Sequence, residues 1–313
     1  GLKPVRVPVR LTVSDWLLPD PKDFRTFVEI VQSPETLAMH YCVPLYSKKH
    51  FDLIARSLKL LGQVGNKVIT IPLICDTNQG NDQSMVRWIR NPDGFYRYDF
   101  SVMEKYLDLA VRYQGPPTVV CFYVWDTYLE GGRGGAEKWA STATKEDRKA
   151  HQGRGPIVSL LNPTTRKVEK LILPPYRDPR SRGLWKPLFD ELRTRMKRRG
   201  LERQMMIGIS TDNVPTEAVV SFWREVAPGV PWVNHAHPYR TELHGVPVGY
   251  SSGVWSGGKF APDPSVGRLH GWMRTHLAVH FPRSTRDFFP MTTFRFMGEM
   301  NVAGNQRGFC RLG

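Results

Sequence analysis

Acidic and amide side chains follow a short apolar run near the middle of this sequence. The run Met205-Met206-Ile207-Gly208-Ile209-Ser210 leads through Thr211 into Asp212 and Asn213. A continuous apolar run of this length is typical of a strand buried on both faces, as in a parallel sheet covered by helices. In α/β enzymes the chemistry lies on the loops after such strands. The pattern therefore predicts a functional position at Asp212, although a helix-capping role explains this residue alone equally well.

The same order, an apolar run followed by a reactive or aromatic side chain, recurs along the chain. In a barrel of parallel strands the carboxyl ends converge on one mouth, so residues that follow different strands can share a site. Turns are rich in Asp for structural reasons, and it is the recurrence that favours a shared site. The candidate residues are Trp16, Asp76, Tyr123, Trp125, Asp126, Asp212, Asn213, His235, His237, Tyr250, Trp255 and Glu299.

Convergent carboxylates beside tryptophan and tyrosine suit carbohydrate chemistry. In glycoside hydrolysis one carboxylic acid protonates the leaving oxygen, while a second group supports an oxocarbenium-like centre. We therefore predict Asp126, Asp212 and Glu299 as catalytic residues and the other candidates as substrate-binding residues. Aromatic faces offer flat apolar surface to a sugar ring, although core packing explains Trp125 and Trp255 equally well.

The sequence predicts neither a metal nor a cofactor. A zinc site needs at least a third ligand beyond the pair His235 and His237, and the four cysteines are scattered without a metal-binding spacing. Ser210 and Ser252 lack the glycine pattern of a nucleophile elbow, which argues against a serine hydrolase. No glycine fingerprint or phosphate loop follows a strand, so a nucleotide-binding sheet is also disfavoured.

The spacing of the apolar runs predicts the fold. Seven strand-like runs alternate with helical or long connections, which indicates a TIM-like (β/α)8 barrel, incomplete at the C-terminus because the eighth unit is absent or irregular. We expect a single barrel domain over residues 1–313, with a loop and β-hairpin insertion at 127–175. Residues 7–13 alternate in polarity and form the predicted first strand, whereas residues 17–33 and 77–98 are predicted loops.

The net charge of +15 needs an explanation, either a binding partner or an effect on the protein itself. A basic surface can serve nucleic acid, an anionic polymer or an anionic membrane, and equally it can serve solubility. The basic residues match no DNA- or RNA-binding motif, so nucleic acid is disfavoured and a carbohydrate partner is expected. We predict an anionic glycan, sulfated or uronic, because the planar fork of arginine suits such groups. The predicted contacts are Arg87, Arg90, Arg133, Arg240 and Arg307.

The ends of the sequence leave its localisation and its oligomeric state open. No stretch approaches 18 consecutive apolar residues, so no membrane partner is expected. The first residue is Gly1 rather than methionine, and we expect a fragment or a processed form of a longer chain. An extracytoplasmic location would follow if a signal peptide has been removed.

Three stretches of this sequence resemble the catalytic barrel of glycoside hydrolase family 123 and its bacterial relatives. They are Trp16-Leu17-Leu18-Pro19-Asp20-Pro21, the helix after Tyr46-Ser47-Lys48-Lys49-His50, and the strand that leads to Asp212. The resemblance implies cleavage of N-acetylgalactosamine linkages by substrate-assisted catalysis. In that chemistry an Asp positions the acetamido group of the substrate, and an adjacent Glu is the general acid.

This sequence departs from that pattern at one position. Asp212 matches the positioning Asp, but the next residue is Asn213, and an amide cannot donate a proton as a carboxylic acid does. We expect a glycoside hydrolase, with a two-carboxylate mechanism through Asp126 and Asp212 as one alternative. A non-catalytic carbohydrate-binding barrel is another, and a nucleic-acid-binding protein is the third. The repeated order of an apolar run and then an acid predicts that Asp126 and Asp212 follow neighbouring strands that share one open mouth.

Overall fold

The computed structural model describes residues 4–77, 79–126, 129, 154–209, 214–235, 240–254, 276–280 and 308–312. Its strands are β1 (Phe27–Ile30), β2 (Val68–Pro72), β3 (Arg87–Arg90), β4 (Tyr96–Asp99), β5 (Val119–Trp125), β6 (Ile157–Leu161), β7 (Val168–Ile172), β8 (Met205–Ile209), β9 (Trp232–His235), β10 (Glu242–Leu243), β11 (Val246–Val254), β12 (His276–His280) and β13 (Gly308–Leu312). Its α-helices are α1 (Pro34–His40), α2 (Lys48–Gln63), α3 (Ser101–Gln114), α4 (Pro179–Arg198) and α5 (Glu217–Val226).

The main sheet contains eight parallel strands in the order β1-β13-β12-β11-β9-β8-β5-β2, with β10 paired antiparallel to β11. From β2 to β13 this order is the order of the strands along the chain, and β1, which precedes β2 in the chain, lies beyond β13. Parallel neighbours require crossover connections, and α2, α3, α4 and α5 lie in the crossovers between β1 and β9. The mixed α/β fold predicted from the sequence is confirmed.

The two ends of this strand order also lie beside each other. Val28 of β1 forms a parallel bridge with Asn66, just before β2. The Val28 amide donates to the Gly65 carbonyl at 3.1 Å, and the Lys67 amide donates to the Val28 carbonyl at 3.3 Å. The sheet is therefore strongly curved, with its ends joined by a single bridge rather than by a full ladder of hydrogen bonds.

Two predictions about the strands of this sheet are wrong. Residues 7–13 form no strand, and their large apolar side chains are exposed, Val9 by 87%. The first strand is instead β1, within the predicted loop 17–33. Alternating polarity alone does not make a strand, because strand stability comes from pairing and from burial of the apolar face. The eighth strand is β13, which pairs with β12 and β1; the predicted strand at 291–297 lies outside the described residues.

A second sheet has the order β4-β3-β6-β7. Its β6 and β7 pair antiparallel and form the hairpin predicted within the insertion. Its β3 and β4 fall in the predicted loop 77–98, which is a further correction. Trp88 of β3 makes edge-to-face contacts with Tyr96, Tyr98 and Trp185, so the second sheet packs against α4.

Local sequence accounts for the ends and faces of the helices. The Ser47 side chain accepts from the His50 amide at 3.2 Å at the start of α2, and Thr216 caps α5 in the same way through Val219. Helical spacing then places apolar residues on one buried face of each helix, including Ile54 and Leu58 of α2. Among the described helices, none is both long and apolar enough to cross a bilayer.

The core has two parts, one on each face of the main sheet. The larger cluster lies between the sheet and the helices. The smaller cluster lies on the other face and takes residues from six strands, which is possible because the curved sheet brings these strands around a common interior. Its members are Val68, Val119, Cys121, Tyr123, Met206, Val233, Tyr250 and Cys310.

Gly208 in β8 provides a test of this interior packing. A Cβ added at Gly208 would lie 2.5 Å from Cys121 Sγ and 3.0 Å from Val233 Cβ. We expect Gly208→Ala to lower the free energy of unfolding by about 1–3 kcal/mol, the usual cost of overpacking a core. Urea unfolding measures this change. The control is Gly183→Ala in α4, where an added Cβ meets nothing within 4 Å and alanine favours the helix. Equal stability of both variants would contradict a filled interior.

Candidate active site

A buried carboxylate lies at the centre of the polar groups in the interior. Glu29 of β1 is fully buried, and its two oxygens accept hydrogen bonds from different strands. His235 Nε2 lies 2.8 Å from Glu29 Oε1, and the Tyr250 hydroxyl donates to Glu29 Oε2 at 2.6 Å. The imidazole and phenol rings of these two partners also meet edge to face, with centroids 5.8 Å apart. We call Glu29, His235 and Tyr250 the interior triad.

The contact between Glu29 and His235 in the interior triad shows that the main sheet is strongly curved. In the strand order, β13, β12 and β11 separate β1 from β9. Four strand spacings would place these two strands about 19 Å apart in a flat sheet, at about 4.8 Å per spacing. A bond of 2.8 Å between Glu29 and His235 therefore requires that both strands face a common interior.

Burial controls the protonation of the groups that surround Glu29. Desolvation raises the pKa of Tyr250 well above its ordinary value, and the negative charge of Glu29 raises it further. The pKa of Cys121 is raised for the same two reasons, desolvation first and then the charge of Glu29. Both side chains therefore stay neutral at physiological pH, and the Tyr250 hydroxyl serves as a hydrogen-bond donor.

Further polar contacts connect the interior to the loops at the carboxyl ends of the strands. Tyr123 of β5 is buried. Its hydroxyl accepts a hydrogen bond at 3.0 Å from Nε2 of Gln79, which lies in the loop after β2. Asn234 Nδ2 donates to Ser251 Oγ at 3.0 Å, which joins β9 to β11. The backbone amide of Arg240 donates to the same Ser251 oxygen at 3.1 Å.

The strands before Asp126 and Asp212 are neighbours, as the sequence predicts. β5 and β8 pair in parallel, and their last residues, Trp125 and Ile209, are partners in the register. Asp126 follows β5 directly and is only 3% exposed. Asp212 comes three residues after Ile209 in the sequence. Both chain segments therefore leave the sheet at the same edge.

Three of the predicted residues lie in surroundings that differ from the expected mouth. Trp125 is fully buried in the cluster between sheet and helices, with no ring face open to a sugar. Trp16 is 65% exposed and follows no strand. Asp76 adopts a left-handed backbone conformation after β2, and its carboxylate pairs with Lys170 of β7 at 2.7 Å. Asp76 thus ties the second sheet to the loop after β2.

Several predicted residues fall outside the described part of the chain. They are Asp212, Asn213, His237, Trp255 and Glu299, together with Arg133 and Arg307 of the predicted anionic site. Of the other arginines, Arg87 is buried and donates to Gln83 at 3.0 Å, which removes it from an open cleft. Arg90 and Arg240 are exposed. Within the described residues, no three His, Cys, Asp or Glu side chains are grouped as a metal ion would require.

Glu29 is a residue that the sequence analysis missed. Its surroundings, Phe27-Val28-Glu29-Ile30-Val31, are a single acid within an apolar run. A lone carboxylate at such a place must be paired or hydrogen-bonded if the run is buried, and this pattern could have marked Glu29 for attention. The neighbouring prolines and acids instead led to a loop assignment for residues 17–33.

Comparison with known proteins identifies the family of this fold and site. The model of the glycoside hydrolase 123 catalytic domain matches residues 32–257, well over half of the chain. The chain therefore belongs to glycoside hydrolase family 123, as the sequence resemblance predicted. The match covers Tyr123, Asp126, Asp212, His235 and Tyr250, whereas Glu29 lies before its first residue.

A solved structure shares the fold. It is a family 123 glycoside hydrolase from Clostridium perfringens, described in a structural study of glycolipid glycan hydrolysis. The two chains are 14% identical, with a TM-score of 0.65 over 94% of this chain. The present chain spans about half of that protein, covering 50% of its length. No curated protein sequence matches the chain.

Tyr250→Phe tests the energetic importance of the interior triad. The substitution removes a buried hydrogen bond to a charged group, so we expect the free energy of unfolding to fall by about 1.5–3 kcal/mol. Chemical denaturation measures the loss. Tyr98→Phe is the matched control, because the Tyr98 hydroxyl donates to the uncharged carbonyl of Leu184 at 2.9 Å. This control should cost less, about 0.5–1.5 kcal/mol; a larger loss in the control would argue against an ionised Glu29.

A second buried carboxyl, Glu35, lies outside the interior triad. It belongs to α1 and is 6% exposed. Desolvation raises the pKa of Glu35 to about 7, and hydrogen bonds from the backbone amides of Glu35 and Gln83 oppose the increase. The neutral carboxyl is therefore favoured in the folded protein, while the unfolded chain keeps the ordinary value of 4.5.

The raised pKa of Glu35 predicts how stability depends on pH. The folded state binds the proton of Glu35 more tightly than the unfolded chain does. The free energy of unfolding therefore decreases as the pH rises from about 4.5 towards 7. Glu35→Gln keeps the shape without the titration. We expect the free energy of unfolding of the parent to fall relative to that of the variant across this window. Denaturation of both proteins at pH 5 and pH 8 checks this, and parallel curves would show that Glu35 titrates normally.

Proposed function

We propose that this chain is a glycoside hydrolase that cleaves a glycosidic bond of an N-acetylhexosamine-containing glycan. The observation that carries the proposal is the parallel pairing of β5 with β8. Because the two strands end side by side, Asp126 and the segment that contains Asp212 both follow the same edge of the sheet. Carboxylates on adjacent strands at such an edge can act on one sugar. Membership of family 123 supports the same reaction class.

The proposed scaffold is a single TIM-like (β/α)8 domain with an insertion at 127–175. Support comes from the eight parallel strands in chain order and from the bridge between Val28 and Asn66. The bond from Glu29 to His235 across the interior supports it as well. In this arrangement the carboxyl ends of β5, β8, β9 and β11 surround one mouth.

The family resemblance suggests a mechanism in which the substrate assists its own cleavage. The acetamido oxygen of the sugar attacks the anomeric carbon, and Asp212 orients the acetamido group. The bond to the leaving oxygen breaks as that oxygen receives a proton. Water then adds to the anomeric carbon and opens the cyclic intermediate, and its proton returns to the group that protonated the leaving oxygen. We assign the proton donor to Asp126, because Asn213 has no acidic proton and Asp126 ends the neighbouring strand.

Other features of the chain bear on the substrate. The solved relative is described in the context of glycolipid glycans, and we propose a glycan of comparable type here. The net charge of +15 favours anionic groups elsewhere on the same glycan. We propose that the exposed Arg240 binds such groups, and support comes from its backbone amide, which donates to Ser251 Oγ beside Asn234 of β9.

A carbohydrate-binding protein without turnover is the second candidate, and Asn213 is the observation that favours it. In that case the mouth would retain the groups that recognise the sugar but would lack a proton donor. The two functions differ in how the chain treats substrates with different leaving groups. An activated aryl group leaves without protonation, whereas a sugar leaving group requires an acid.

The test compares aryl N-acetylgalactosaminides of both anomers with oligosaccharides of the same linkage. We expect Asp212→Ala to lose at least about a hundredfold in kcat/KM on both substrate types. Asp126→Asn should lose activity mainly on the oligosaccharides, and Asn213→Glu should increase it there by supplying an acid. Asp190→Asn in α4 is the control, because this exposed carboxylate pairs only with Lys186 among the contacts described here.

Each outcome of this comparison distinguishes the candidates. Full activity of Asp212→Ala would remove Asp212 from the reaction. Equal losses of Asp126→Asn on both substrate types would contradict its role as the proton donor. Sugar binding by calorimetry without turnover of any substrate would establish the non-catalytic alternative, and turnover gained only in Asn213→Glu would show that the missing acid is the cause.

A further inference from the structure

Gln79 connects the loop after β2 to the interior of the curved sheet. Its Nε2 donates a hydrogen bond to the Tyr123 hydroxyl at 3.0 Å, and Tyr123 is a member of the smaller core cluster. Tyr123 is buried, whereas Gln79 is half-buried. Because the loop lies at the carboxyl end of β2, the exposed part of Gln79 lies at the rim of the interior on that side.

The carboxamide of Gln79 is held at one end and open at the other. Its Nε2 is bonded to Tyr123, and the backbone amide of Gln79 donates to Thr77 Oγ1 at 3.3 Å. Its Oε1 has no hydrogen-bond partner among the residues that the structure describes. An amide oxygen accepts up to two hydrogen bonds. Gln79 therefore offers an acceptor of defined position at the rim of the interior.

Buried hydrogen bonds inside the loop fix the position of Gln79. Asn81 is only 1% exposed, and its Oδ1 accepts from the backbone amide of Thr77 at 3.1 Å. Its Nδ2 donates to the carbonyls of Ile74 and Gln83 at 2.8 and 3.1 Å. One side chain thus closes the loop before and after Gln79. Buried bonds of this kind are costly to break, so the loop keeps one shape.

The hairpin of β6 and β7 holds the same loop from outside. Lys170 of β7 pairs with Asp76 at 2.7 Å and with Asp82 at 3.0 Å, and these two carboxylates flank the loop. The backbone amide of Cys75 donates to the Ile157 carbonyl of β6 at 2.7 Å. Ion pairs with exposed partners add little to overall stability, and their effect here is on the position of the loop.

Gln79 lies beside the strand that leads to the proposed proton donor. Asp126 directly follows β5, and Tyr123 precedes it by three residues, which is about 10 Å of extended chain. The bond from Gln79 to Tyr123 therefore brings a group of the loop after β2 to the carboxyl end of β5. A sugar that contacts Asp126 can reach this amide with one of its hydroxyl groups.

We propose that Gln79 is a specificity-determining residue, whose Oε1 accepts a hydrogen bond from one hydroxyl group of the sugar in the reactive subsite. Tyr123 and the internal bonds of the loop hold the amide in place, so little freedom is lost when the sugar binds. This inference rests on the proposed glycosidase function. It adds a recognition group after β2 to the carboxylates that follow β5 and β8, and it assigns to the β6–β7 hairpin the support of that group.

The first experiment removes the acceptor while the side chain keeps nearly the same size. We expect Gln79→Met to lower kcat/KM on an aryl N-acetylgalactosaminide about threefold to tenfold, as for loss of one neutral hydrogen bond. Gln63→Met is the control and should keep the parental value, because Gln63 is exposed at the end of α2, near the start of β2. Gln79→Ala provides a second variant if Gln79→Met does not fold.

The second experiment identifies the hydroxyl group. Aryl N-acetylgalactosaminides that lack the hydroxyl group at carbon three, four or six are compared in the parent and in Gln79→Met. Loss of the group that Gln79 binds should lower kcat/KM about threefold to tenfold in the parent and have little effect in the variant. Loss of either other group should lower both proteins by the same factor. A merely structural role of Gln79 predicts the same factor for all three analogues.

Calorimetry separates failure of this inference from failure of the proposed function, because the affinity for N-acetylgalactosamine and its deoxy analogues is measured without turnover. A chain that binds but does not cleave, with one hydroxyl group coupled to Gln79, keeps the inference and rejects hydrolysis. An active chain in which no hydroxyl group is coupled to Gln79 rejects the inference and keeps the function. A chain that neither binds nor cleaves these sugars rejects both.

Discussion

The burial of the Glu29 carboxylate constrains the rest of the main sheet. A charge fully removed from water is costly unless hydrogen bonds compensate for the lost solvent, and both oxygens of Glu29 have partners on other strands. The partners come from β9 and β11, which the strand order places far from β1 in any flat arrangement. Curvature of the sheet, the packed interior around Cys121 and the position of His235 therefore depend on one another.

Much of this fold could be predicted from apolar periodicity. The strands at Met205–Ile209, Val68–Pro72 and Val119–Trp125 are continuous apolar runs, and burial on both faces produces such runs. The capping of α2 by Ser47 could also be seen in advance, because it depends on residues adjacent in the sequence. Local patterns succeed where the contacts that stabilise an element are themselves local.

Elements stabilised by distant contacts could not be found in this way. The four residues of β1 are too few for a periodicity, and β1 exists because β13 pairs with it. The alternating residues 7–13 show the reverse error, since no strand covers their apolar face in the described structure. At the site, the pattern of an apolar run followed by an acid correctly identified Asp126 as the residue that follows a strand. The same pattern did not show which face of the sheet Trp125 lies on. Strand alternation would place Trp125 on the face of Tyr123, but the register between β5 and β8 shifts between these two residues, and Trp125 faces the helices.

The pairing of β1 with β13 also has a consequence for how the chain folds. Phe27 lies opposite Gly308, so β1 leaves the ribosome long before the strand that becomes this neighbour. Contacts between such distant residues are slow to form, because a long loop must close before they contribute. The Glu29 carboxylate thus stays in water until β13 has been made, and the interior acquires its electrostatic character only when β1 docks beside that strand. A chain truncated or stalled before β13 would still carry Glu29, but it would lack the strand that holds β1 and its carboxylate in the sheet.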